Sequence, residues 1–166
     1  LAPAGTTINF PYNIDKTTMF GGQSVVVKKF TSGTPNTTFT ISEDIVINDG
    51  ESLVLFVDGN LKTDHKITRT GTGFAAFIVN GDITVDGSVG SSDTTPSLQG
   101  FYIARGALNT GRGTDITNER LNFKGTVIAN SINLQRSLDF SGTNSTIPAD
   151  KFFYDPELLF LMPDKM

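Results

Sequence analysis

The chain contains no cysteine, no tryptophan and a single histidine among its 166 residues. Without cysteine there is no disulfide, no thiolate nucleophile and no sulfur-ligated metal, although the redox compartment stays open because secreted folds of this size often manage without bridges. With only His65, any catalytic triad or imidazole-ligated metal would have to be built around one residue, and its neighbours Asp64, Lys66 and Thr68 read as a solvated turn. Basic residues are sparse: the net charge is −4, the isoelectric point is near 4.8, and no cluster exceeds Lys28-Lys29. Counterion release from a phosphate backbone has nothing to drive it, which argues against nucleic acid as a partner. No apolar run reaches the length of a membrane span. No Gly-x-Ser-x-Gly elbow, phosphate loop or zinc motif occurs.

What the chain does have is phenylalanine, glycine and short apolar runs. There are 13 Phe against 3 Tyr, so the aromatic content reads as buried filling and not as a stacking platform for sugars or bases. With 17 Gly, 7 Pro and 37% hydrophobic residues, the length suits one folded domain with many turns.

Those runs recur. Phe56-Val57-Asp58-Gly59-Asn60-Leu61-Lys62-Thr63-Asp64 and Ile78-Val79-Asn80-Gly81-Asp82-Ile83-Thr84-Val85-Asp86 set their glycines 22 residues apart. Weaker copies follow at Ile103-Ala104-Arg105-Gly106-Ala107-Leu108 and at Ile128-Ala129-Asn130-Ser131-Ile132, the second with Asn130 in the glycine's place, where Asn best tolerates a positive φ. A period of some two dozen residues with strand patterning predicts an all-β, β-solenoid-like stack of short coils, each covering its neighbour's apolar face. A jelly-roll or Ig-like β-sandwich also satisfies strands at this spacing.

Residues 1–22 read as an extended N-terminal strand or tail, with Ile8, Phe10, Tyr12 and Ile14 alternating with polar positions and Pro11 marking an edge; residues 23–166 read as a single β-rich domain. Strands are expected at 24–30, 38–41, 45–47, 53–57 and 74–79, the last two apolar enough to be covered on both faces. Near the end, Asp155-Pro156-Glu157 before Leu158-Leu159-Phe160-Leu161-Met162 predicts a short C-terminal helix with Asp155 as N-cap, serving as a lid over the open end of the core. The corner aspartates Asp58, Asp64, Asp82 and Asp86 read as turn formers. Catalytic carboxylates need environments that push their pKa values apart, and calcium loops need denser acidic spacing, so neither a catalytic residue, a metal nor a cofactor is assigned.

The stretch from Leu98 to Met166, with Leu98-Gln99-Gly100-Phe101-Tyr102-Ile103-Ala104, Gly125-Thr126-Val127-Ile128-Ala129, Asn133-Leu134-Gln135-Arg136-Ser137-Leu138 and Tyr154-Asp155-Pro156-Glu157-Leu158-Leu159, resembles the C-terminal region of uncharacterised bacterial cell-surface β-repeat proteins. In repeat style alone the chain also resembles the polymer-forming bactofilins. Both resemblances imply a β-rich, self-associating, non-enzymatic component, and neither supplies catalytic residues.

A start at Leu1-Ala2-Pro3-Ala4-Gly5 suits a processed N-terminus, and Asn36-Thr37-Thr38 and Asn144-Ser145-Thr146 are sequons in Thr-rich loops, so an extracellular location with glycans at Asn36 and Asn144 is expected. The leading expectation is a structural subunit of an extracellular filament or surface layer, a head-to-tail homopolymer in which the N-terminal strand enters a neighbouring subunit. The alternatives are a tail packed against its own body, and a carbohydrate-binding or adhesive module using Tyr12, Tyr102 or Tyr154. Deletion of residues 1–16 is expected to leave a folded monomer that no longer polymerises.

Overall fold

A parallel stack needs each coil to repeat the residue types of the one before it, because side chains at equivalent positions lie directly over one another. The computed structural model, which describes residues 6–7, 12–34, 36–111, 116–117, 119–138 and 148–163, meets that requirement. Its chain forms a parallel β-solenoid of about five turns with a short C-terminal helix. The opening rung is β1 (Thr6–Thr7), β2 (Tyr12–Ile14) and helix α1 (Lys16–Phe20). Three strands make each of the next two coils: β3 (Val25–Thr31), β4 (Thr38–Ile41) and β5 (Ile45–Ile47), then β6 (Ser52–Asp58), β7 (Asn60–Thr63) and β8 (Ile67–Arg69). The third coil has β9 (Phe74–Val79) and β10 (Ile83–Val85), and the fourth has the long β11 (Leu98–Asn109) followed by β12 (Ile116–Thr117). Last come β13 (Leu121–Asn133), β14 (Ser137–Leu138), β15 (Asp150–Phe153) and α2 (Glu157–Phe160).

Every pairing between these strands is parallel, which rules out the antiparallel sandwich. One face stacks β1, β3, β6, β9, the first half of β11, β13 and β15; a second stacks β2, β4, β7, β10 and the ends of β11 and β13. On a third side β5 lies beside β8, and Ile67 of β8 beside Leu98 of β11.

The interior is built of columns. Phe39, Leu61, Ile83 and Leu108 follow one another on the second face, all buried. An aromatic series, Phe77, Tyr102, Phe123 and Phe152, runs toward the C-terminal end with ring centroids 4.9, 5.1 and 5.4 Å apart. Tyr102 is enclosed by it, and burial pushes its phenol well above the ordinary tyrosine range.

The repeat glycines stack on one corner. A Cβ on Gly81 would collide with Asn60 and the Gly59 carbonyl, and one on Gly106 with Asp82 and the Gly81 carbonyl. Close backbone approach, and not positive φ, is what these two require. Asn130 is different: β11 carries a bulge between Ala104 and Ala107 that β13 lacks, so Asn130 alone spans the corner. Among the described non-glycine residues only Asn36 has positive φ, at 60°.

The N-terminal segment departs from the extended reading. Lys16–Phe20 is a turn of helix, capped by the Asp15 carboxylate accepting from Thr18 N–H at 2.6 Å and closed by Gly21 in the left-handed region. Its Met19 and Phe20 are buried in the end of the core. With β2 paired to β4, the described part of the segment forms the first rung of its own stack. Deleting residues 1–16 would remove Ile14, which is fully buried and paired with Ile41, and so uncover part of the first coil.

The C-terminal helix is not a lid over the end. Its Leu158 is buried on the outer face of the first sheet, among Val54, Phe74, Ala76 and Phe101. Asp155 does not cap it: the carboxylate turns to Arg69 Nη2 at 2.6 Å, with Lys124 Nζ at 3.5 Å, and the N-cap position is Pro156 without a side-chain bond. Arg69 and Asp155 side chains are only 4% and 1% exposed. Burial alone would raise the Asp155 pKa, but the Arg69 hydrogen bond and charge outweigh it and hold the carboxyl below the usual range. The stabilisation is present above the unfolded value near 3.9 and is lost as pH falls through the lower folded value. Arg69→Leu removes the closer partner of the buried Asp155 carboxylate and leaves it only Lys124 at 3.5 Å, a cost of about 3 kcal/mol. Amide exchange in residues 158–161 is expected to accelerate about a hundredfold or more in this variant, and in the wild type only when the pH drops below about 4. Unchanged protection in the variant contradicts the latch.

Candidate functional site

The interior columns are closed until the last long strand, and there they run out. On the second face Leu61, Ile83 and Leu108 are each 1% exposed, whereas the next residue in the column, Ile132, is 49% exposed. Leu134, just beyond it, is 59% exposed, and Ile128 on the outer face 56%. β15 covers only Leu121, Asn122, Phe123 and Lys124 of β13. Residues 125–133 pair with β11 on one side and with no described strand on the other.

This edge is nine residues long, Gly-Thr-Val-Ile-Ala-Asn-Ser-Ile-Asn, with no charge and no proline. Free sheet edges in soluble proteins are ordinarily blunted by lysine, proline, a bulge or a covering loop, because they present a row of unpaired N–H and C=O groups. Among the described residues the one such device here is the bulge, and it is in β11. The outward column beside Ile132 ends in amides, with Asn133 Nδ2 donating to Asn109 Oδ1 at 2.8 Å.

The flank of this end is held rigidly. Arg136, buried at 8% exposure, donates to the carbonyls of Val89 at 2.6 Å and Asp86 at 2.7 Å, and to that of Thr110 through Nε, tying three successive coils. Its Nε lies 3.5 Å from Asp150 Oδ1. Burial raises the Asp150 pKa, outweighing the pull of Arg136 and of the Thr110 hydroxyl.

The sequence-derived site residues fall in several places. Ile8 and Phe10 lie outside the described residues, as does Asn144. Tyr12 is in β2, paired with Phe39, and Ile14 is fully buried in the chain's own core. Asn36 is exposed at a corner, where its carbonyl accepts from Asn60 Nδ2 at 3.3 Å. Tyr102, offered as a sugar-binding residue, is enclosed in the core; Tyr154 is exposed.

The corner aspartates are engaged structurally. Asp58 accepts from Asn80 Nδ2 at 3.0 Å, Asp82 from Ala107 N–H at 2.7 Å, and Asp86 faces Lys62 Nζ at 3.5 Å. Among the described residues no group of three or more His, Asp or Glu side chains is placed to hold a metal ion. No described helix is long and apolar enough to cross a membrane. His65 bridges toward Asp44 at 3.3 Å and Asp64 at 3.7 Å on the surface.

A shallow groove of about 520 Å³ crosses the outer face of the first sheet, floored by Phe56, Ile78 and Ile103 and edged by Lys29, Asn80 and Arg105. Sequence reading located neither the open edge nor the residues of this groove. Only the uncharged, proline-free composition of 125–133 signalled the first.

The fold places the chain in the class of parallel β-solenoids. No family model matches it, and no curated protein or solved structure does either.

Removing Arg136 leaves the Asp86, Val89 and Thr110 carbonyls and Asp150 buried without their shared cation. Arg136→Leu is expected to lower stability by about 3–5 kcal/mol in urea unfolding. An unchanged midpoint would mean that the end of the stack does not depend on this pin.

Proposed function

We propose that the protein is a structural subunit of an extracellular filament or surface layer, built by self-association of solenoids through their ends. The observation that carries this reading is the open edge of β13, nine residues without charge or proline and with Ile128 and Ile132 half exposed. A solenoid needs polar terminal caps to stay soluble as a monomer, and an uncapped apolar end is a site for adding another rung. The corner aspartates, occupied as turn formers and hydrogen-bond acceptors, give no support to a catalytic role. The sequon at exposed Asn36 is compatible with a glycan on the flank, away from that end.

A second reading, an adhesive module that binds a glycan, draws on the outer groove. Its floor of Phe56, Ile78 and Ile103 offers an apolar platform and Asn80 and Arg105 offer donors. On this reading a glycan array gives saturable binding that Arg105→Ala abolishes.

Ile132→Lys places one charge on the exposed edge and removes no buried contact, so it should fold as the wild type does. Wild-type protein is expected to form multimers or filaments in light scattering and electron microscopy, and Ile132→Lys to remain monomeric with an unchanged melting temperature. A wild type that stays monomeric as concentration rises would overturn the filament reading and leave the adhesive one.

A further inference from the structure

The register of the stack names a partner for the open edge. Five consecutive pairings link one outward position from end to end: Asn13 to Thr40, Thr40 to Lys62, Lys62 to Thr84, Thr84 to Asn109 and Asn109 to Asn133. The neighbouring register positions run in the same way from Tyr12 to Phe39, Leu61, Ile83, Leu108 and Ile132, and Phe39, Leu61, Ile83 and Leu108 are an inward, buried column. Among the described strands, β2 is the last at one end of this sheet, paired only with β4, and the second half of β13 is the last at the other. The two free edges therefore belong to the same sheet and differ by a whole number of rungs. A copy shifted along the axis by one further rung brings its β2 onto β13 without any change of strand direction.

Resting on the self-association reading, we propose that the β13 edge accepts the N-terminal rung of a second copy, parallel and in register, so that Asn13 of one copy lies on Asn133 of the next and position 12 on Ile132. The N-terminal rung stays seated on its own first coil and becomes the layer between two subunits.

The chemistry of the two edges agrees with this pairing. Residues 6–14, Thr-Thr-Ile-Asn-Phe-Pro-Tyr-Asn-Ile, carry no charge, and neither do residues 125–133. No ion would be desolvated at the junction. Register brings position 12 onto Ile132, where an apolar column is left half exposed. Asn13, exposed above Thr40, extends the amide ladder that already joins Asn109 to Asn133; stacked asparagines are a recurrent stabiliser of in-register parallel sheets. The contact joins different surfaces of successive copies, so it is heterologous and runs on as a fibre or closes into a ring.

The absence of cysteine gives a clean test. Neighbouring strands stand about 4.8 Å apart, inside the Cα separation that a disulfide spans. The double variant Asn13→Cys, Asn133→Cys, oxidised with copper phenanthroline, is expected to give a ladder of disulfide-linked multimers on a non-reducing gel. Each single variant should give no ladder, and Asn13→Cys with Ser131→Cys, two residues out of register, should cross-link poorly. Multimers by light scattering without the ladder would overturn the register while leaving self-association standing. Dimers from Asn133→Cys alone would overturn it in favour of two β13 edges meeting across a two-fold axis. A wild type monomeric at every concentration would remove both this pairing and the reading on which it rests.

Discussion

In-register parallel stacking is the constraint on which everything else in this molecule depends. Each rung hydrogen-bonds to the rungs above and below, so a residue is acceptable only where it matches its column. The column from Phe39 to Leu108 and the register pairs Phe77–Tyr102 and Phe123–Phe152 are the result, and they explain why apolar residues recur at matching steps. The same constraint forces small residues where corners approach closely, as at Gly81 and Gly106, and at Gly125, where a Cβ would strike the Gly100 carbonyl. Polar groups are displaced to the corners, where Asn60, Asn80 and Asp82 bond between coils.

A stack held together this way has two ends, and its two ends are finished differently. At the N-terminal end the helical turn Lys16–Phe20 packs Met19 and Phe20 into the core, and Lys16 is tied to the Val46 carbonyl at 2.6 Å and to Glu51 at 2.7 Å. At the C-terminal end the available segments are used elsewhere: α2 lies on the outer face through Leu158 and the Arg69–Asp155 pair, and β15 reaches only the first four residues of β13. Among the described residues no strand covers the rest of β13. The proposed function follows from how the fold terminates.

Much of the stack was legible in the sequence because parallel stacking writes a repeat into it. The strands at Thr38–Ile41, Ile45–Ile47 and Phe74–Val79 lie where the apolar runs place them. The 22-residue glycine step between Gly59 and Gly81 is a true rung spacing, as the pairing of Leu61 with Ile83 confirms. Local signals for α1 were present in Asp15 and Gly21, but five residues are too few for a periodicity to declare a helix. The misplaced C-terminal helix has another cause: its position depends on Arg69 and Asp155, 86 residues apart, and such a pairing leaves no local trace. Exposure of Ile132 was equally hidden, because its pattern is that of the earlier, buried Ile83 and Leu108, and only its place on the last long strand bares it.

The most direct test of the account is amide hydrogen exchange in residues 125–133 measured across a range of protein concentration. If this edge is a docking surface for another copy, its outward amides exchange freely in dilute protein and become protected as concentration rises, while the exchange of β6 and β9 stays constant. Exchange in this segment that does not change with concentration would contradict the claim that the open end exists to be covered by a neighbour.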